Sequence, residues 1–317
     1  MDRLLIQNNN GIVFEPATMD GVSWELERAG SPGKLTFTVL KDGTEAFEEG
    51  DAVQFYHDGT PVFFGFIFAK ERDRDRQIKV TAYDQMRYFK NKFTYAFEKK
   101  TASQIIEFMA RDFNVATGSI ANTGYILPTL LEENKTVFDI VGDVLDQTLI
   151  NTGELFVMYD DFGKLTVKNS IDMASRLVID KDTAENYSYT SSIDEETYNK
   201  IVLYYKNDDK LLVPYYARDE KNIGRWGLLQ YFESVDDESS AQSRANALLK
   251  LYNRKTRTLS IKGAFGDPTI RAGSMVIVDM DLGDKIVKNY MLVESVKHSF
   301  KENYHTMDLT LEGSWGD

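Results

Sequence analysis

Among its 317 residues the chain has no cysteine. Disulfides, thiolate metal sites and cysteine nucleophiles are therefore excluded, and non-covalent packing must hold the fold. There is no run of 18 apolar residues of the kind a membrane-crossing helix needs. The opening Met1-Asp-Arg-Leu-Leu-Ile-Gln-Asn-Asn-Asn10 has neither the basic nor the apolar region of a signal peptide. Folding in a cytoplasm is the expectation, with no membrane insertion of its own. Proline is scarce, 6 in all, and no low-complexity tract occurs, so long flexible linkers are not expected.

Motifs that carry chemistry are missing as well. There is no G-x-S-x-G, Walker loop or G-x-G-x-x-G, which leaves acyl transfer, nucleotide hydrolysis and dinucleotide binding without an anchor. Histidine occurs three times, as His57 in a hairpin turn and as His298 and His305 on neighbouring strands. No known metal motif fixes an acidic partner for them, so neither metal nor other cofactor is expected. Asp279-Met-Asp281-Leu-Gly283-Asp284 lacks the closing glutamate of a calcium loop and reads as an acidic hairpin turn. Asp236-Asp-Glu238 precedes a helix, where carboxylates favour the positive end of the dipole. A glycosidase needs only two carboxylates at the right separation, and 50 acidic residues do not reveal such a pair; no catalytic residue is assigned.

What the chain does have is apolar material, 42% of its residues, and a net charge of −13. An acidic surface repels phosphate backbones, so specific nucleic-acid binding is not expected. With about 150 residues per domain as a soft prior, the length suggests two or three domains.

A four-strand pattern occurs near the start and again near the end. The first copy runs Leu35 to Val39, Gly50 to Phe55, Val62 to Phe68 and Ile78 to Tyr83. The second runs Leu259 to Ile261, Gly273 to Val278, Tyr290 to Val296 and Thr306 to Leu311. Pairing Phe37 with Leu259, Gly50 with Gly273, Phe64 with Tyr290 and Ile78 with Thr306 gives offsets of 222, 223, 226 and 228, growing at turns. Loops tolerate inserted residues whereas a strand that slips by one residue turns its buried side chains outward, so this is how a duplicated module drifts. Chance similarity between two β-meanders is the alternative.

Between the copies the period changes. Thr101-Ala-Ser-Gln104 fits a capping box, and Ala102, Ile105, Ile106, Met109, Ala110 and Phe113 share a helical face. A second helix is expected from about Thr136, followed by a hairpin through Gly163, and a short helix is expected at Asp84, a good N-cap residue. Strands resume from Leu177, and a last helix spans about Ser240 to Tyr252. The expected fold is mainly β with an α+β insertion: a first β-barrel module at 1–95, an inserted α+β domain at 96–175, a connecting β-rich region at 176–235, and a second β-barrel module with its leading helix at 236–317.

Phe47-Glu-Glu-Gly-Asp-Ala-Val-Gln-Phe-Tyr56, Pro61-Val-Phe-Phe-Gly65 and Val80-Thr-Ala-Tyr-Asp84-Gln-Met-Arg-Tyr88 together resemble the XkdQ/YqbQ family of contractile phage-tail hub proteins. So do Glu196 to Val202, Ala241 to Leu251, and Val293-Glu-Ser-Val-Lys-His298-Ser-Phe300. The resemblance covers nearly the whole chain and rests on order and spacing, since each motif is short. It implies a structural part of a phage tail or of a tail-like bacteriocin, assembled in a bacterial cytoplasm and carried in the particle. It also implies a homotrimer set between the tail tube protein ring and the central spike protein, in contact with other baseplate proteins. Six β-modules in three chains would then match a threefold hub to a hexameric tube. The alternatives are a cell-wall hydrolase, or a glycan-binding accessory that uses aromatics such as Tyr125 and Tyr159.

Glu71, Arg72, Asp73, Arg74, Asp75 and Arg76 alternate in sign between two strands. They form either a solvated hairpin tip or, because alternating charge can set register between subunits, part of a subunit or tube interface.

Overall fold

The computed structural model describes residues 2–40, 46–72, 74, 77–194, 196–206, 212–235, 238–283, 285–302 and 304–313. The protein is mainly β, with several sheets and four α-helices among the described residues.

The N-terminal unit is a meander. Ala52–His57 turns into Thr60–Arg72 through Asp58 and Gly59, whose φ values of 48° and 78° give the left-handed pair of conformations that suits a two-residue hairpin. Lys34–Leu40 lies beside Gln77–Tyr83, which lies beside Thr60–Arg72, which lies beside Ala52–His57. The C-terminal unit repeats this order: Thr256–Phe265 beside Tyr304–Glu312, then Ile286–Lys301, then Met275–Asp281.

The likeness extends to single hydrogen bonds. In the first unit Gly50 N donates to Ile67 O at 2.8 Å and Ile67 N to Asp51 O at 2.9 Å. In the second Gly273 N donates to Val293 O at 2.7 Å and Val293 N to Ser274 O at 2.8 Å. Both glycines have left-handed φ, 95° and 94°, a conformation that excludes most side chains. The turn before each is closed the same way, by Glu48 N on Asp51 Oδ2 in one and by Arg271 N on Ser274 Oγ in the other. A β-bulge follows at the same place, between Ile67 and Ala69 and between Val293 and Ser295.

These bonds correct two of the four sequence pairings. Gly50 with Gly273 and Phe64 with Tyr290 hold. Leu35, not Phe37, corresponds to Leu259, because Leu35 lies opposite Ala82 and Ile67 in the sheet as Leu259 lies opposite Leu311 and Val293. Ile78 corresponds to Met307 in place of Thr306 by the same reasoning. A slip of two residues keeps the same face toward the core and leaves no trace in a period-two pattern; the second error is a slip of one, and burial exposes it, since Ile78 and Met307 are both buried whereas Thr306 is only partly so.

The two units form one sheet. Ser295–Phe300 pairs antiparallel with Val22–Glu27, joining the meanders into a sheet of 13 strands over one hydrophobic core that draws on both. Ala174–Asp180 and Asn186–Ser192 add to the C-terminal unit, beside Met275–Asp281 and Thr256–Phe265 respectively.

Two smaller bodies complete the chain. The 3₁₀ turn Gln85–Lys90, capped by Asp84, leads into an α+β region with its own core. There α1 (Ala102–Asp112) and α2 (Val137–Thr152) each start with a complete capping box, from Thr101 with Gln104 and from Thr136 with Asp139. The helices face the Phe156–Asp160 and Leu165–Asn169 hairpin. A three-stranded sheet of Lys200–Lys206, Leu212–Arg218 and Gln230–Val235 packs Ile201, Leu203 and Ala217 against Ala245 and Leu248 of the helix Glu238–Tyr252. The helix that precedes the C-terminal unit in sequence thus packs on this small sheet.

Gly65 illustrates how tightly the first meander is built. A Cβ there would stand 2.2 Å from Tyr83 O and 2.6 Å from the Phe63 ring, with no room unless backbone moves. Gly65→Ala is expected to lower stability by about 2 kcal/mol or more. Gly142→Ala, in α2 with nothing within 4 Å of the new methyl, is expected to raise it by roughly 0.5–1 kcal/mol. Urea midpoints of the two variants check both signs; a stable Gly65→Ala protein would contradict the packing described.

Candidate functional site

The strand pairing that joins the two units places Trp24 opposite His298. Trp24 is 1% exposed and His298 fully buried; their rings stack with centroids 4.8 Å apart. Strand alternation accounts for this. Val22, Trp24 and Leu26 share the inward face of one strand, and Val296, His298 and Phe300 that of the other.

The three histidines of the chain meet here. His298 Nε2 is 3.0 Å from Ile270 O and His298 Nδ1 is 2.9 Å from His305 Nε2. A carbonyl can only accept, so the His298 proton sits on Nε2. His298 Nδ1 then accepts from His305 Nε2, which leaves His305 Nδ1 bare, and that atom is buried without a partner. His57 lies with its centroid 4.9 Å from both His305 and Phe300, and its Nδ1 is 2.6 Å from Asp2 Oδ1. Among the described residues no group of three or more histidines and carboxylates is set to hold a metal ion. The relay proper, His298 with His305, is built from neutral imidazoles. Burial pushes His298 down to about 3 and His305 down to about 4.

Arg271 ties the relay to the inserted region. Its guanidinium lies 5.0 Å from the Trp24 ring and 4.6 Å from the Tyr159 ring, and Nη2 donates to Asp160 O. Two enclosed carboxylates stand near it. Asp84 accepts from Gly33 N at 2.7 Å and Met86 N at 3.0 Å, and Asp160 accepts from Gly163 N at 2.7 Å. Burial holds both above the usual carboxylate range, and for Asp84 the Asp160 charge adds to the rise. The 156–169 hairpin is wedged between the two units. Val157 fills the space a Cβ at Gly273 would need, and Gly163 approaches the Phe64 ring as closely, with Phe162 beside Tyr56 and Phe64.

The motif residues therefore serve the joint. Gly50 and Asp51 make the repeated turn, Gly65 allows close strand approach, Asp84 caps the passage into the insertion, and Val293, Val296, His298 and Phe300 form the buried face of the joining strand. In the small sheet, Asn199 bridges Gly227 O and Leu229 N through its side-chain amide.

The charged tip lies elsewhere. Glu71 and Arg72 end the Thr60–Arg72 strand, exposed like Arg74, and the contact of Glu71 with Lys79 is long, 4.0 Å. Asp73, Asp75 and Arg76 lie outside the described residues, as do Asp236 and Asp284 of the acidic stretches. Of the aromatics considered for sugar stacking, Tyr159 is 8% exposed under Arg271, and Tyr125 packs against the core of the insertion. Sequence reasoning missed Trp24 and Arg271. The alternation Val22, Trp24, Leu26 could have exposed the first; Arg271 left no local signal.

The YQBQ-like family profile matches residues 22–312. The phage-like element PBSX protein XkdQ of Bacillus subtilis is 32% identical over 300 residues, covering 92% of this chain and 91% of that protein. Among solved structures, the 43 kDa tail protein of prophage MuSo2 from Shewanella oneidensis superposes with a TM-score of 0.70 at 14% identity, covering 98% of each chain. A type VI secretion component of E. coli, described as structurally similar to the T4 tail proteins gp27 and gp5, gives 0.60 at 11% identity over 99% of this chain and 77% of that one. At such identities these two likenesses concern the fold.

A base whose folded value lies below its unfolded one adds stability that is complete above the unfolded value, near 6.5, and is lost as pH falls toward the folded value. His298 is expected to cost about 2 kcal/mol between pH 6.5 and pH 5 at 1.36 kcal/mol per unit, and half-exposed His305 much less. Asp84 and Asp160 act in the opposite sense, so the measurement is the difference between wild type and His298→Gln in denaturant titrations across this range. Parallel pH profiles for the two proteins would refute the relay.

Proposed function

This chain belongs to the YQBQ-like family, and from that premise we propose that it is a structural, non-catalytic component of a phage tail or of a tail-like particle. XkdQ relatedness and the fold shared with a prophage tail protein support this reading. Within the tail the proposed place is the baseplate hub, as a homotrimer between the tube protein ring and the central spike. The E. coli type VI component described as similar to gp27 and gp5 favours that place.

One observation carries the proposal: two meanders with the same strand order, the same bulge and the same glycine turn lie in one chain. If each acts as a tube-like barrel module, three chains present six similar modules and a threefold spike can meet a sixfold ring without a mismatch. Domain duplication would then replace separate adaptor subunits. The α+β insertion and the small sheet would sit outside the ring, available to other baseplate proteins.

Light scattering on the purified protein should give the mass of three chains, and mixing with the tube protein should yield a ring-bound complex. A well-folded monomer that ignores the tube ring is the outcome that would sink the hub assignment.

A further inference from the structure

The joint inside the chain is a template for a second joint between chains. In the C-terminal unit the strand that follows the bulge, Ser295–Phe300, pairs with Val22–Glu27, the strand that precedes the first meander. The N-terminal unit has the same strand after the same bulge, Ala69–Arg72. It pairs on one side with Ile78–Thr81, and among the described residues no strand lies on its other side. The C-terminal unit has the same preceding strand, Asn186–Ser192, which pairs with Thr256–Lys262 and is the edge of the 13-stranded sheet. Each chain therefore presents one copy of each half of a joint it already makes once internally.

We infer that Ala69–Arg72 of one chain pairs antiparallel with Tyr189–Ser192 of a second copy. The inference rests on the trimer reading and supplies its contact surface. The register follows from the internal joint. Trp24 lies opposite Leu35 and Tyr189 opposite Leu259, so Tyr189 takes the place of Trp24; Arg72 takes the place of His298. Ala69 then faces Ser192, Lys70 faces Ser191, Glu71 faces Thr190 and Arg72 faces Tyr189.

The side chains suit this register. The Trp24–His298 stack is replaced by Arg72 against the Tyr189 ring, a cation–π contact, and no like charges are opposed. The internal joint is flanked by the Arg28–Glu294 ion pair, 2.8 Å, and the corresponding positions Ile193 and Phe68 are apolar. Exposed charge on an unpaired edge discourages indiscriminate pairing, which accounts for Glu71 and Arg72 there. The contact is head-to-tail, so repeating it either closes a ring or runs on as a filament. Alternating internal and external joints make every junction in the ring alike, which is what a six-module ring of three chains requires.

The absence of cysteine permits a direct test. Paired residues on antiparallel strands bring Cα atoms to about 4.5–5.5 Å, within disulfide reach. The double variant Glu71→Cys/Thr190→Cys, both sites exposed, is oxidised mildly, and its mass is read by non-reducing gel and light scattering alongside wild type. Near-complete conversion to a covalent species of three chains is expected, with at least a tenfold lower yield for the off-register pair Glu71→Cys/Ser188→Cys. A trimer that does not cross-link at Glu71 and Thr190, or does so equally at both pairs, overturns the edge pairing and leaves the hub reading intact. A monomer with no cross-link overturns both.

Discussion

The antiparallel ladder between Ser295–Phe300 and Val22–Glu27 is the constraint on which the structure depends. It joins residues about 270 positions apart and turns two meanders into one sheet over one core. Without it Trp24 and Phe300, both nearly inaccessible, would lie at open sheet edges, and no other pair of strands connects the two units among the described residues. Truncating a buried aromatic of this kind costs about 3–5 kcal/mol, a large fraction of the stability of an ordinary domain.

Polar groups at the joint are held at some cost. A neutral histidine relay, a guanidinium between two aromatic rings and two enclosed carboxylates all lie within the region where three parts of the chain meet. Apolar residues would fill the same space with less desolvation. What the polar groups add is direction. His298 requires Ile270 O on one side and His305 on the other, and Arg271 requires Trp24 and Tyr159 together, so the relative setting of units and insertion is fixed by bonds with defined geometry.

The repeat explains why Glu71 and Arg72 sit on a strand end and not in a site. Each unit carries a post-bulge strand. In the C-terminal unit its inward side chains Val296, His298 and Phe300 are buried by the joint; in the N-terminal unit its end, Glu71 and Arg72, is charged and exposed. One repeated edge thus has two chemistries, according to whether a described strand of this chain covers it.

Much of this was legible locally. The capping boxes at Thr101 and Thr136, the Asp58-Gly59 turn, the cap at Asp84 and the alternation of the strands all depend on neighbours within a few residues, and sequence determines such signals directly. The duplicated meander was visible too, through its glycines and strand spacing. Register was not, because a period-two pattern is unchanged by a slip of two, so that Phe37 stood in for Leu35 as the counterpart of Leu259. The meeting of His57, His298 and His305, the seat of Arg271 and the joining of the two units were decided only by tertiary structure. They depend on long-range strand pairing, whose energy comes from surfaces that become adjacent only once the chain has folded.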